Sequence, residues 1–157
     1  MLSAESIKKI DYELTKYPAD QRQAAVMSAL RIVQTERGWL SQECISEVAA
    51  YLHMPEIAAM EVATFYNMYN LELAGKYKIT ICTNISCMLR DSDSIVHHLK
   101  TKLGIGFGEV TEDGKFCLKE GECMGACGGA PLMIVNNHTM HEFLTPESVD
   151  AILEELK

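Results

Sequence analysis

The chain has 157 residues, 48% of them apolar, enough to bury one good core or two small ones without disulfide staples. A formal charge of −8 argues against nucleic acid and against anionic lipid, both of which attract basic patches, and favours a protein partner. No apolar stretch approaches the roughly 18 residues that a membrane span requires, so no direct membrane insertion is expected.

The start of the chain, Met1-Leu2-Ser3-Ala4-Glu5, has neither the basic and apolar regions of a signal peptide nor the Arg-rich character of a transit peptide. A reducing cytoplasm, or a reducing membrane surface, is the expected address. Residues 1–74 read as a helical bundle. Tyr17-Pro18 ends a first helix, because proline disfavours helix in the residue before it, and Pro18 suits the start of the next. Gly38 ends the second helix, which carries Val26, Met27, Leu30 and Val33 as one apolar stripe. A third starts from a Ser41 cap and turns Ile45, Val48, Ala49 and Leu52 inward, and Pro55 opens a fourth with Ile57, Met60 and Phe65.

The pattern changes at Gly75. Lys78 to Cys82 alternates like a strand, and Ser92 to Leu103 returns to helical period with Ile95, Leu99 and Leu103 before Gly104. Gly104-Ile105-Gly106-Phe107-Gly108 resembles part of a nucleotide loop. It follows a helix, however, instead of joining a strand to one, so it reads as a helix stop and a loop. Asp113-Gly114 predicts a hairpin turn between Glu109 to Thr111 and Phe116 to Leu118, and Asn136-Asn137 a turn between Leu132 to Val135 and Thr139 to Phe143. A last helix has Thr145 as cap, Pro146 at its first position, and Val149, Ile152, Leu153 and Leu156 on its buried face. The expected class is therefore α+β: a helical bundle, then an α/β domain over 75–157 with a small sheet of about four strands.

Six cysteines in a chain without an export signal suggest metal ligands or redox groups rather than a disulfide framework. Cys82 and Cys87 have four residues between them, and Cys123 and Cys127 have three. Cys82 ends a predicted strand, Cys87 falls in the loop before the Ser92 helix, and the second pair lies in the loop before the Leu132 strand. Both pairs can meet at one end of the sheet. A bridged pair of irons needs four thiolates from two sides, with backbone N–H groups aimed at the sulfurs. Gly121, Gly125, Ala126, Gly128 and Gly129 would let the backbone approach closely and adopt left-handed conformations, and Asn84 and Ser86 would add side-chain donors. Structural zinc, which usually uses pairs with two residues between ligands, and a Cys82–Cys87 disulfide stay open as alternatives. Cys44 and Cys117 read as small buried hydrophobes, and no pair of the five histidines has ligand spacing. No nucleophile–base pair and no NADH or flavin site is visible, so the chain holds no complete active site of its own.

Cys82-Thr83-Asn84-Ile85-Ser86-Cys87-Met88-Leu89-Arg90, Cys123-Met124-Gly125-Ala126-Cys127 and Ala130-Pro131 resemble the E-subunit family of NADH:quinone oxidoreductase, respiratory complex I. Tyr17-Pro18, Arg22-Gln23-Ala24-Ala25, Gly38-Trp39-Leu40 and Phe65-Tyr66 extend the resemblance over nearly the whole chain. It implies a helical N-terminal domain and a thioredoxin-like domain holding one 2Fe-2S cluster on Cys82, Cys87, Cys123 and Cys127. It also implies tight pairing with the subunit that binds NADH, FMN and a 4Fe-4S cluster, on the inner side of the membrane. Gly121 departs from the apolar strand residue usual there, and Gly128-Gly129 from the stiffer sequence of many relatives. The equivalent subunit of an NAD-linked hydrogenase or formate dehydrogenase shares these features, and a zinc-stabilised interaction domain is the structural alternative. Met54, Met60, Phe65, Tyr66, Met68 and Tyr69 are candidates for docking the partner, against the simpler expectation that they are core.

Overall fold

Helix α1, Ala4–Leu14, starts where the Ser3 hydroxyl accepts the Ser6 backbone N–H at 3.0 Å, satisfying one of the donors a helix start leaves open. The structure is a computed structural model describing residues 1–156, and the chain divides into two units, Met1–Leu73 and the part from Ala74 on. Helix α1 stops before Pro18 is reached: the N–H groups of Lys16 and Tyr17 bond back only three residues, tightening the last turn. Nor does Pro18 open the next helix. Its carbonyl accepts the Gln21 N–H at 2.9 Å, and a 3-10 turn, Arg22–Ala25, then leads into α2, Val26–Arg37. The extra turn reverses the chain so that α2 packs on α1.

Gly38 ends α2 at φ 83, in the left-handed region that suits glycine. The buried stripe of α2 is Val26, Ala29, Leu30 and Val33, at helical steps of three and four, while Met27 lies one step off it and is 36% exposed. Helix α3, Gln42–Leu52, buries Ile45, Val48, Ala49 and Leu52 as expected, and α4, Glu56–Phe65, buries only Ala59 and Ala63. These small residues let α4 lie close on α3. Ile10, Leu30, Val33, Leu40, Ile45 and Leu52 fill the core, each contributing roughly 1.5–3 kcal/mol by leaving water.

In the second unit, strand β1, Tyr77–Cys82, is followed by a one-turn helix α5, Ile85–Met88, and by α6, Ser92–Leu103. These lead to β2, Phe116–Gly121, which pairs parallel with β1. Strands β3, Met133–Val135, and β4, Thr139–His141, complete a mixed sheet of order β2-β1-β3-β4. Glu109 to Thr111 does not form a strand. The Asp113-Gly114 turn closes with Gly114 N–H on Thr111 O at 2.8 Å and Thr111 N–H bonds Phe116 O at 2.9 Å, but along the outer edge of β2 the pairing amounts to one antiparallel bridge, Val110 to Cys117. Asn136 and Asn137, at φ 53 and 57, make the tight turn between β3 and β4. Helix α7, Pro146–Glu155, begins with a reciprocal cap between Thr145 and Ser148 and packs against α6.

Ile79, Ile81, Leu99, Leu118, Met133 and Val149 form the main core of this unit. Lys78, on the other face of β1, is 3% exposed, and burial, with Lys119 beside it, pushes its ammonium down to about 8. No described helix is long and apolar enough to cross a membrane.

Candidate metal centre

Strand pairing brings the cysteine segments to one end of the sheet. Because β1 and β2 run parallel, in register from Tyr77 opposite Phe116 to Cys82 opposite Gly121, both chains leave the sheet at the same edge. There Thr83 N–H bonds Gly121 O at 2.9 Å, and Cys82 N–H bonds Leu132 O at 3.1 Å, just before the antiparallel β3 begins. The segment carrying Cys82 and Cys87, the loop carrying Cys123 and Cys127, and the entry to β3 therefore converge.

Cys82 and Cys87 are buried, at 2% and 1% exposed, and pack with Ala130 and Leu132 in a small core of their own. Cys87 sits on α5 rather than in a loop: its carbonyl accepts the Arg90 N–H, and four residues of helix are too short to show a period in sequence. Burial pushes the Cys87 thiol up to about 11, reinforced by a hydrogen bond and charge from Cys82 and by the charge of Cys127, while the Leu132 backbone opposes the rise. Cys123 and Cys127 are exposed. The Cys82 thiol donates to Glu122 O at 3.5 Å, and the Gly125 N–H donates to Cys123 Sγ at 3.5 Å.

Only one of the four glycines of this loop is left-handed. Gly125 has φ 75, and it is the residue whose N–H reaches a cysteine sulfur. Gly121 and Gly129 serve close approach instead, since a Cβ on Gly121 would lie 2.8 Å from Thr80 Cγ2, and one on Gly129 would lie 2.5 Å from Glu142 Cδ. Gly121 thus ends β2 without breaking it. Gly128 has open space around it.

The donor set fits a binuclear iron–sulfur group. Among the described residues no three or more His, Cys, Asp or Glu side chains are gathered closely enough to hold a metal ion, so the structure brings the four cysteine segments to one end of the sheet without drawing their sulfurs around one point. A bridged pair of irons spreads four thiolates over two metals. Cys82 and Cys87 are buried together, Cys127 is near enough to act on the Cys87 sulfur, and Cys123 stands on the same turn as Cys127 with the Gly125 N–H on its sulfur, donors of the kind such a pair would use.

Of the remaining cysteines, Cys117 is buried in β2, as expected, opposite Lys78 of β1. Cys44 is buried but is no mere hydrophobe: Arg37 Nη1 donates to its sulfur at 2.9 Å and Ser41 Oγ at 3.2 Å. Burial pushes this thiol up, yet the hydrogen bonds from Ser41 and Arg37 outweigh it and hold Cys44 below its ordinary value. The Ser41 cap was the available signal, because it sets Cys44 in the first turn of α3, where the cap hydroxyl and the helix start face it. The histidines are not gathered. His98 pairs with Asp150 at 2.8 Å, and His53 caps the end of α3 at φ 57.

Comparison with known proteins agrees with this architecture. The thioredoxin-like 2Fe-2S ferredoxin family profile matches residues 10–157. The E subunit of NADH-quinone oxidoreductase from Rickettsia bellii is 45% identical over 145 residues, covering 92% of this chain and 86% of that protein. Subunit 2 of the NADH-quinone oxidoreductase from Thermus thermophilus is 38% identical over 148 residues, covering 94% and 82%. Among solved structures, an NAD+-reducing NiFe-hydrogenase in the air-oxidized state superposes with a TM-score of 0.72 at 20% identity over 89% of this chain, a likeness of fold. This chain spans 24% of that hydrogenase chain. The chain belongs to the thioredoxin-like 2Fe-2S ferredoxin family, among the E subunits of NADH-quinone oxidoreductase.

Proposed function

We propose that this chain is the electron-carrying E subunit of an NADH-quinone oxidoreductase, and that Cys82, Cys87, Cys123 and Cys127 hold one 2Fe-2S cluster exchanging single electrons with the FMN of a partner subunit. The observation that carries the reading is the parallel register of β1 and β2, which delivers both cysteine segments to one end of the sheet. When bound, the cluster supplies one-electron uptake and release at low potential, near the roughly −400 mV of plant-type centres. The rest falls to the chain. Cys82 and Cys87 would ligate from the buried side, the exposed Cys123 and Cys127 from the solvent side, and the Gly125 N–H would offset sulfur charge. NADH and FMN would sit on the partner only.

The partner is the flavin- and NADH-binding subunit of the same complex, in a heterodimer on the inner, cytoplasmic side of the membrane. Docking is proposed for apolar side chains after Pro55 that the helical core does not use. Ile57, Phe65 and Leu73 are 67%, 79% and 74% exposed, and Tyr66 stacks edge-on to Phe65, whereas Met54, Met60 and Met68 pack on the core and Tyr69 is buried. The equivalent subunit of an NAD-linked hydrogenase is the second reading, favoured by the TM-score of 0.72. Anaerobic purification from the native host tests both: equal iron and acid-labile sulfide with a co-purifying flavoprotein supports the carrier role, and the identity of the remaining chains separates the two complexes. Zinc without sulfide would reject both.

A further inference from the structure

The segment that follows β4 is strapped onto the turn that carries Cys127. Phe143 N–H donates to Gly129 O at 2.6 Å and Leu144 N–H to Pro131 O at 3.0 Å. Phe143 takes φ 51, uncommon for a bulky residue, so this segment is held in a shape the free chain disfavours. The strap lays one charged side chain on the turn: a Cβ on Gly129 would lie 2.5 Å from Glu142 Cδ and 2.8 Å from Glu142 Cβ. The absent methyl group of Gly129 is the notch in which Glu142 lies. Gly129 is two residues from Cys127, so their Cα atoms lie within roughly 7 Å of each other and the carboxylate stands on the turn that carries that sulfur.

We infer that Glu142 is a tuning residue for the redox site, a fixed negative charge that holds the potential of the cluster down. The inference rests on the cluster assignment proposed above. Reduction would add one negative charge to a group held in part by Cys127, and a carboxylate on the same turn would raise the free energy of the reduced form more than that of the oxidised form. The position also explains the glycine: any side chain at 129 would push Glu142 off the turn. Other acidic groups of the site are placed differently. Glu120 is engaged by Thr83 Oγ1 at 2.9 Å, and the contact of Glu122 to Cys82 is made by its backbone carbonyl.

The test is a redox titration of the intact protein followed by paramagnetic resonance, in wild type, Glu142→Gln, Glu142→Asp and Gly129→Ala. Glu142→Gln keeps the shape and removes the charge, so its potential rises while the signal keeps its shape and integral. Glu142→Asp keeps the charge and stays near wild type, and Gly129→Ala, which displaces the carboxylate, rises with Glu142→Gln. The Glu142→Gln shift shrinks as ionic strength increases. A control, Glu155→Gln, removes the same charge at the far end of α7, roughly 15 Å from its start, and moves the potential less. An unchanged potential in Glu142→Gln, or equal shifts in Glu142→Gln and Glu142→Asp, overturns the inference. Absence of any iron–sulfur signal in wild type would instead overturn the cluster assignment.

Discussion

The two units are held together by different means. The helical unit fills its core with fifteen buried apolar residues, from Ile10 to Tyr69, and ends its helices with local devices such as the Ser41 cap and Gly38. The sheet unit has a similar core under β1 and β2, but the apolar cluster at its cysteine end has four buried members, Cys82, Cys87, Ala130 and Leu132, with Met124 and Ala126 partly buried against them. Apolar burial explains the first arrangement, whereas two of those four residues are themselves the proposed ligands. On the proposed reading stability and function are separable: one region stands on packing, while the cysteine end would depend on what its sulfurs hold.

The most severe way to test that contrast removes a ligand. Cys87→Ser is expected to abolish the iron–sulfur signal while leaving the helical content read by far-ultraviolet circular dichroism intact, and Cys117→Ser to keep the signal; loss of helical content in Cys87→Ser would contradict the separation of the two regions, and equal signal loss in both variants would contradict the ligand role of Cys87. Next, Leu30→Ala opens a cavity at a fully buried site of the helical core. It should cost about 2–5 kcal/mol in denaturant unfolding of that unit without changing the iron content.

A pH series reaches the sheet core. Lys78 titrates at about 8 in the folded chain against 10.5 for the free side chain, so between these values the unfolded state binds more protons. The Lys78 contribution to stability should therefore rise with pH from about 8 to 10.5, by on the order of 3 kcal/mol in total, and the full cost of the buried ammonium is present below 8. Urea midpoints at several pH values should show the wild type gaining stability relative to Lys78→Met across this range. The smallest effect is at the caps: Thr145→Ala and Ser41→Ala should each lower stability by about 1 kcal/mol, read by thermal unfolding.

The same contrast governs what the sequence made legible. Helix ends are local, so Gly38, Ser41, Gly104 and the Thr145-Pro146 start can be read along the chain, and so can β1 and the Asn136-Asn137 turn. Pro18 misleads because the chain needs a 3-10 turn before α2, and Met27 because its place is one step off the buried stripe. Glu109 to Thr111 has strand character, but the edge it would occupy is not completed beyond the Val110 bridge. At the cysteines, the spacing predicts convergence, but the α5 turn and the contact between Glu142 and Gly129 do not follow from spacing. The second joins residues thirteen apart through a strap formed only when the sheet is complete.

The central claim meets its most direct test in low-temperature paramagnetic resonance of the anaerobically purified, dithionite-reduced protein. One rhombic signal integrating to one spin per chain is the predicted result. A silent sample with zinc bound in place of iron would contradict it.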